Sequence, residues 1–171
     1  HGSGQSGRDD TVAFAQGSTT SVKGRTRQVA ENLTVASHGG RIDVKAAVGQ
    51  IQVNGLLDAS APVMPTGHEG LATDAGRITF QATGERGAVV IGDAAQIRLD
   101  ALSGGQGGTL QVDTRRLLSA AQAQTEAVGA QQVASQVDAL VNAVAQAGAA
   151  SPAHHRVAVR VRDGDVVLNT Q

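Results

Sequence analysis

Asp43, Asp58, Asp93, Asp100 and Asp113, with Arg41, Lys45, Arg77 and Arg98 nearby, are the residue types a polysaccharide lyase or hydrolase uses as acid, base and charge partner. Such enzymes usually add aromatic rings on which sugars stack, yet the chain has two Phe, no Tyr and no Trp. These carboxylates are read as solvated groups on outward faces and corners, and no catalytic residue is assigned. His154-His155 is the one adjacent histidine pair. Neighbours on a strand point to opposite faces, which is poor geometry for a shared ion. His38, His68 and the pair are read as exposed loop residues, and no metal site is expected. Gly2-Ser3-Gly4-Gln5-Ser6-Gly7 satisfies G-x-G-x-x-G but lacks the preceding strand and following helix that would make it a dinucleotide fingerprint. Gly104-Gly105-Gln106-Gly107-Gly108 has neither the Lys-Ser/Thr of a phosphate loop nor the Asp of a calcium roll, and reads as a corner between strands. No cofactor is expected. No Ser-His-Asp or Cys-His arrangement follows from spacing, and cysteine is absent.

The elements around these residues are short. Leu33-Thr34-Val35, Ile42-Asp43-Val44, Ile51-Gln52-Val53, Ile78-Thr79-Phe80, Ile97-Arg98-Leu99 and Leu110-Gln111-Val112 alternate apolar and polar residues, as half-buried strands do. The apolar member of each is expected to face inward. Related units recur in Gly40-Arg41-Ile42-Asp43-Val44, Gly76-Arg77-Ile78-Thr79-Phe80 and Gly108-Thr109-Leu110-Gln111-Val112, each opening on glycine. This pattern favours a coil winding in one direction over a sandwich, and its narrow interior accounts for the missing aromatics. Residues 1–30 are expected to be a flexible or partly ordered lead-in, and 31–114 the coil, with a loop inserted at 61–75 around Pro62 and Pro65. Residues 115–150 are expected to be a helical excursion. Val133, Val137, Leu140, Val141 and Val144 form one helical stripe, Gly129 separates two helices, and Gly148 and Pro152 end the second. Residues 151–171 then return as strands through Val157-Ala158-Val159-Arg160-Val161. The fold expected is all-β with a helical insertion.

The charge of −1, from 14 basic and 15 acidic side chains, together with the lack of aromatic platforms, argues against nucleic acid as a partner. No run of about 18 apolar residues spans a membrane, and no signal peptide is read. His1-Gly2-Ser3 has the look of an expression-tag remnant, which would make the chain a fragment of something longer.

Gly40-Arg41-Ile42-Asp43-Val44, Gln96-Ile97-Arg98-Leu99-Asp100-Ala101, Gly104 to Leu110 and the ending Val159 to Leu168 resemble the repeats of filamentous-haemagglutinin-type exoproteins, in texture more than in any single motif. The resemblance spans about 30–171. It implies a right-handed parallel β-helix (a β-solenoid), here with a helical hairpin excursion. It also implies export by two-partner secretion through an outer-membrane partner, and a place on the extracellular cell surface. The family's Asn-Pro-Asn-Gly secretion signature is missing, so the chain reads as shaft or distal part. The function expected is structural and adhesive, not enzymatic, with a receptor or glycan on a host or neighbouring cell as partner. The alternatives are a self-associating filament subunit, or a carbohydrate-binding or carbohydrate-degrading β-helix.

Overall fold

The computed structural model describes residues 11–31, 33–63, 73–101, 105–119 and 156–163. The chain enters through β1 (Val12–Phe14) and β2 (Thr19–Ser21), followed by β3 (Thr26–Ala30) and β4 (Leu33–Ala36). It then repeats a circuit: β5 (Arg41–Lys45), β6 (Gln50–Val53) and β7 (Leu56–Asp58), then β8 (Arg77–Ala82), β9 (Ala88–Ile91) and β10 (Gln96–Arg98), then β11 (Thr109–Thr114) and β12 (Arg116–Ser119). The strand β13 (Arg156–Val161) closes the described chain. Pairing collects these strands into three parallel faces. The first is β5-β8-β11-β13, the second β1-β6-β9-β12 and the third β2-β7-β10. Successive strands pass from the first face to the second and third, and the chain returns to the first about 4.8 Å further along. Among the described residues only β3 and β4 pair antiparallel.

Alternation selects one buried row per strand, and the register stacks these rows from turn to turn. Ile42, Ile78 and Leu110 are directly paired, as are Val44, Phe80 and Val112. Ile51, Val89 and Leu117 form the matching column on the second face, and Leu57 with Ile97 on the third. All of these are buried. Each contributes about 1.5–3 kcal/mol, and a one-residue slip would turn the whole row to water.

Turns stack most tightly where the chain re-enters the first face. The amides of Arg77, Thr109 and Arg156 donate to the carbonyls of Gly40, Gly76 and Gly108 at 3.0, 3.1 and 3.0 Å. A Cβ on Gly76 would lie 1.7 Å from the Gly40 carbonyl oxygen, and one on Gly108 2.6 Å from that of Gly76. The glycine that opens each recurrent unit is therefore a steric requirement of the stack. Buried Thr114 holds the opposite end of β11, its hydroxyl donating to the Arg116 carbonyl at 2.8 Å.

The expectation of an all-β chain with a helical insertion, a right-handed parallel β-helix carrying a helical hairpin excursion, is corrected by this arrangement. The described residues are all β, with no helix, in several parallel sheets and one antiparallel pair, none closed on itself. Residues 116–119, where the first helix was to begin, are β12 instead. Leu117 falls in register on Val89 and completes its column at 1% exposure, so burial in the stack overrides leucine's helix propensity. The rest of the expected excursion, 120–150, the first residues of the expected returning strands, 151–155, and most of the 61–75 loop lie outside the described residues. The inward positions from Ile42 to Val112 are buried as expected, but Leu33 and Val35 are 53% and 43% exposed, while Thr34 between them is buried. These strands form a hairpin between two turns, so their alternation answers to a different surface. Among the described residues no helix is long and apolar enough to cross a membrane.

Two substitutions separate these rows. Ile78→Asp places a charge in the central column and should abolish the cooperative thermal transition seen by circular dichroism. Leu33→Asp, on the exposed side of the hairpin, should shift Tm by no more than about 2 °C. Equal damage at both positions would refute the placement of the hairpin.

Candidate functional site

The outward side of the first face is where charged side chains gather. Strand register arranges them in rows across the turns: Arg41, Arg77, Thr109 and Arg156; then Asp43, Thr79, Gln111 and Ala158; then Lys45, Gln81, Asp113 and Arg160. Neighbours in a row are about 4.8 Å apart. Where these strands begin, the glycine corner is hollowed into an open groove of about 450 Å³. Gly39-Gly40, Asp74-Ala75-Gly76 and Gln106-Gly107-Gly108 form its floor, and Arg41, Arg77 and Thr109 form its wall.

Several charges are already matched. Asp43 pairs with Arg41 at 2.5 Å, and that hydrogen bond holds the Asp43 carboxyl below its ordinary value. Arg162 grips Asp113 with both arms of its guanidinium, Nε to Oδ1 at 3.0 Å and Nη2 to Oδ2 at 2.8 Å. This fork lowers the Asp113 pKa and raises that of Arg162. Arg115 donates to Asp163 beside it. The two pairs staple the turn carrying β13 to the turn carrying β11, alongside amide bonds from Arg162 to Thr114 and from Asp163 to Arg115. At the corner, Asp74 Oδ1 accepts the Gln106 amide at 2.8 Å, and the Asp74 amide donates to His38 Nδ1 at 3.0 Å.

The sequence candidates therefore scatter. Asp43 and Asp113 share a face but stand on non-adjacent strands, each tied to its own arginine. Their lowered pKa values keep both ionised, whereas a general acid needs the opposite shift. Asp93 is exposed and Asp100 half-buried. Asp58 corrects the expectation of a solvated carboxylate. It is 6% exposed, and its Oδ1 accepts from the Ser60 amide at 3.0 Å and the Ser60 hydroxyl at 2.5 Å, a local turn that replaces its water. Arg98 is paired in register with Asp58 on the third face and is not among the residues lining this groove. His38 is a corner residue. His68, His154 and His155 lie outside the described residues, as does Gly104, while Gly105 to Gly108 form the expected corner. No group of three His, Asp or Glu able to hold a metal exists among the described residues. Sequence reading missed the Arg162–Asp113 and Arg115–Asp163 staples, whose only signal is alternating charge in Arg160-Val161-Arg162-Asp163.

No protein family, curated protein or solved structure matches this chain.

The staple has a pH signature. Because the folded state holds Asp113 below its unfolded value of 3.8, the pair's contribution is complete above that value and is lost as pH falls through the folded pKa. Asp113→Asn should lower Tm by about 2–4 °C at neutral pH and converge on the parent chain in acid well below 3.8. A deficit that persisted undiminished in acid would show that the pair is not the cause.

Proposed function

We propose that the chain is a structural and adhesive segment of a secreted bacterial surface protein of the filamentous-haemagglutinin type, exported through an outer-membrane partner. The observation that carries this reading is the stacking of its recurrent glycine-led units. Gly40-Arg41-Ile42-Asp43-Val44, Gly76-Arg77-Ile78-Thr79-Phe80 and Gly108-Thr109-Leu110-Gln111-Val112 lie directly upon one another in register. Their inner members fill a thin aliphatic core, and their outer members form straight polar rows. A stack of this kind acts by display: it holds side chains at fixed intervals along one axis, and a partner reads the row. The function does not require a convergent acid, base or nucleophile.

A second reading, self-association into a filament, draws on β13. Among the described residues nothing pairs with its outer edge, and Val157 in its inward row is 37% exposed. A free parallel edge is a template for another strand. Sizing across a concentration series tests it, with growth of larger species as concentration rises the supporting result.

Display is tested with coated beads. Beads carrying the folded chain should adhere to epithelial or bacterial cell layers well above albumin-coated beads. Beads carrying Ile78→Asp should not, because the rows lose their register when the core unfolds. The same chain incubated with acidic and neutral polysaccharides should release no reducing ends. Adhesion at the albumin level, or glycan turnover that vanished in Asp43→Asn, would overturn the proposal.

A further inference from the structure

We infer that the groove at the glycine corner binds the carboxylate groups of an acidic, hydroxyl-rich polysaccharide, with Arg77 as its principal contact. This deepens the display reading by giving the displayed row a ligand class.

Arg41 and Arg77 are directly opposite on adjacent strands. Like charges so placed destabilise a sheet, and a bound anion between them removes the repulsion. Their situations differ. Asp43 answers Arg41 at 2.5 Å, whereas Arg77 is exposed and has no carboxylate partner among the described residues. Arg156 continues the row two strands on, beyond Thr109. The outward rows of the first face carry five cations (Arg41, Lys45, Arg77, Arg156 and Arg160) against Asp43 and Asp113, in a chain whose formal charge is −1. Positive charge is thus gathered on this face in excess of the average.

The groove itself narrows the ligand. Stacking requires glycine at Gly40, Gly76 and Gly108, so the floor is bare backbone that a ligand can approach closely. That part follows from packing alone; the placement of Arg77 on its wall does not. The Asp74 carboxylate also lines the groove, which argues against a small, densely charged anion. One of its oxygens accepts the Gln106 amide, and the other lies 3.7 Å from His38 Nδ1. A sugar suits this mixture, its carboxylate taking the flat fork of the guanidinium and its hydroxyls meeting Asp74 and the Thr109 hydroxyl. The lining holds no aromatic ring for a nucleobase and no apolar pocket for a peptide side chain. The row's cations, Arg41, Arg77 and Arg156, are spread over the four strands of the first face, which favours a polymer over a free acid.

Polygalacturonate is the probe. Its fully methyl-esterified form keeps the backbone without the charge, galacturonate monomer supplies the charge without the polymer, and polyglutamate supplies charge on a peptide. Binding by calorimetry should be measurable for polygalacturonate, at least about tenfold weaker for the ester and the monomer, and weaker again for polyglutamate. Arg77→Gln should weaken polygalacturonate about tenfold or more, and Arg77→Lys should restore only part of it. Arg27→Gln, a like loss of charge on the exposed hairpin strand β3, should leave binding unchanged. Melting curves establish that each variant is folded. Absence of polygalacturonate binding, equal losses at Arg27 and Arg77, or polyglutamate binding as tightly would overturn the inference. Bead adhesion without polygalacturonate binding would remove this site and leave the display reading standing, whereas polygalacturonate binding without bead adhesion would do the reverse.

Discussion

The close approach of backbone to backbone at the glycine corner is the contact on which the rest of the molecule rests. Each turn hydrogen-bonds to the one before it through a space that admits no Cβ, so turn and turn are locked at strand spacing along the first face. Once that lock is set, the register of β5, β8, β11 and β13 follows, and with it the columns of the core. The same lock explains the composition. An interior bounded by three narrow faces is filled by single aliphatic side chains lying on one another, and Phe80 is the one aromatic ring among the largest fully buried side chains. Larger rings would push the turns apart and break the amide ladder.

Polar rows on the outside are the other product of that register. Inside, it gives close-packed columns; outside, it brings residues distant in sequence to strand spacing. Arg41 and Arg77 become neighbours only through the pairing of β5 with β8. So do Asp113 and Arg162, separated by 49 residues in sequence. The face is therefore both a mechanical element, stapled at β13, and a surface with its own electrostatic character.

How much of this could be read beforehand depended on whether local alternation and global stacking asked for the same thing. From Ile42 to Val112 they did, and both the buried rows and the glycine-led units were legible. Leu33 and Val35 alternate just as cleanly, yet they belong to an antiparallel hairpin outside the parallel sheets, and alternation alone cannot say which side meets a core. At Arg116 to Ser119 the local signal pointed to a helix, and the second-face column claimed Leu117 for a strand. Asp58 escaped because its turn with Ser60 depends on burial, which a short polar triplet does not announce. The groove was visible only as a glycine corner. Its arginine wall required the length of a turn, which varies between turns and so hides from any fixed-period search: His38 meets residue 74 after 36 positions, and Asp74 meets residue 106 after 32.

That unequal length has an evolutionary meaning. The segments joining the third face to the first differ from turn to turn, while the strands they join keep their partners. Additions or losses of residues there leave the columns intact, whereas a single residue gained inside β8 would reverse every side chain beyond it. One turn can thus be copied as a block of genetic material and its joining segment then altered in length and chemistry, with the scaffold indifferent to the change. Lineages of such a chain would diversify by indels at the corners and by point substitution on the outer rows, and the glycine column would be the last thing to drift.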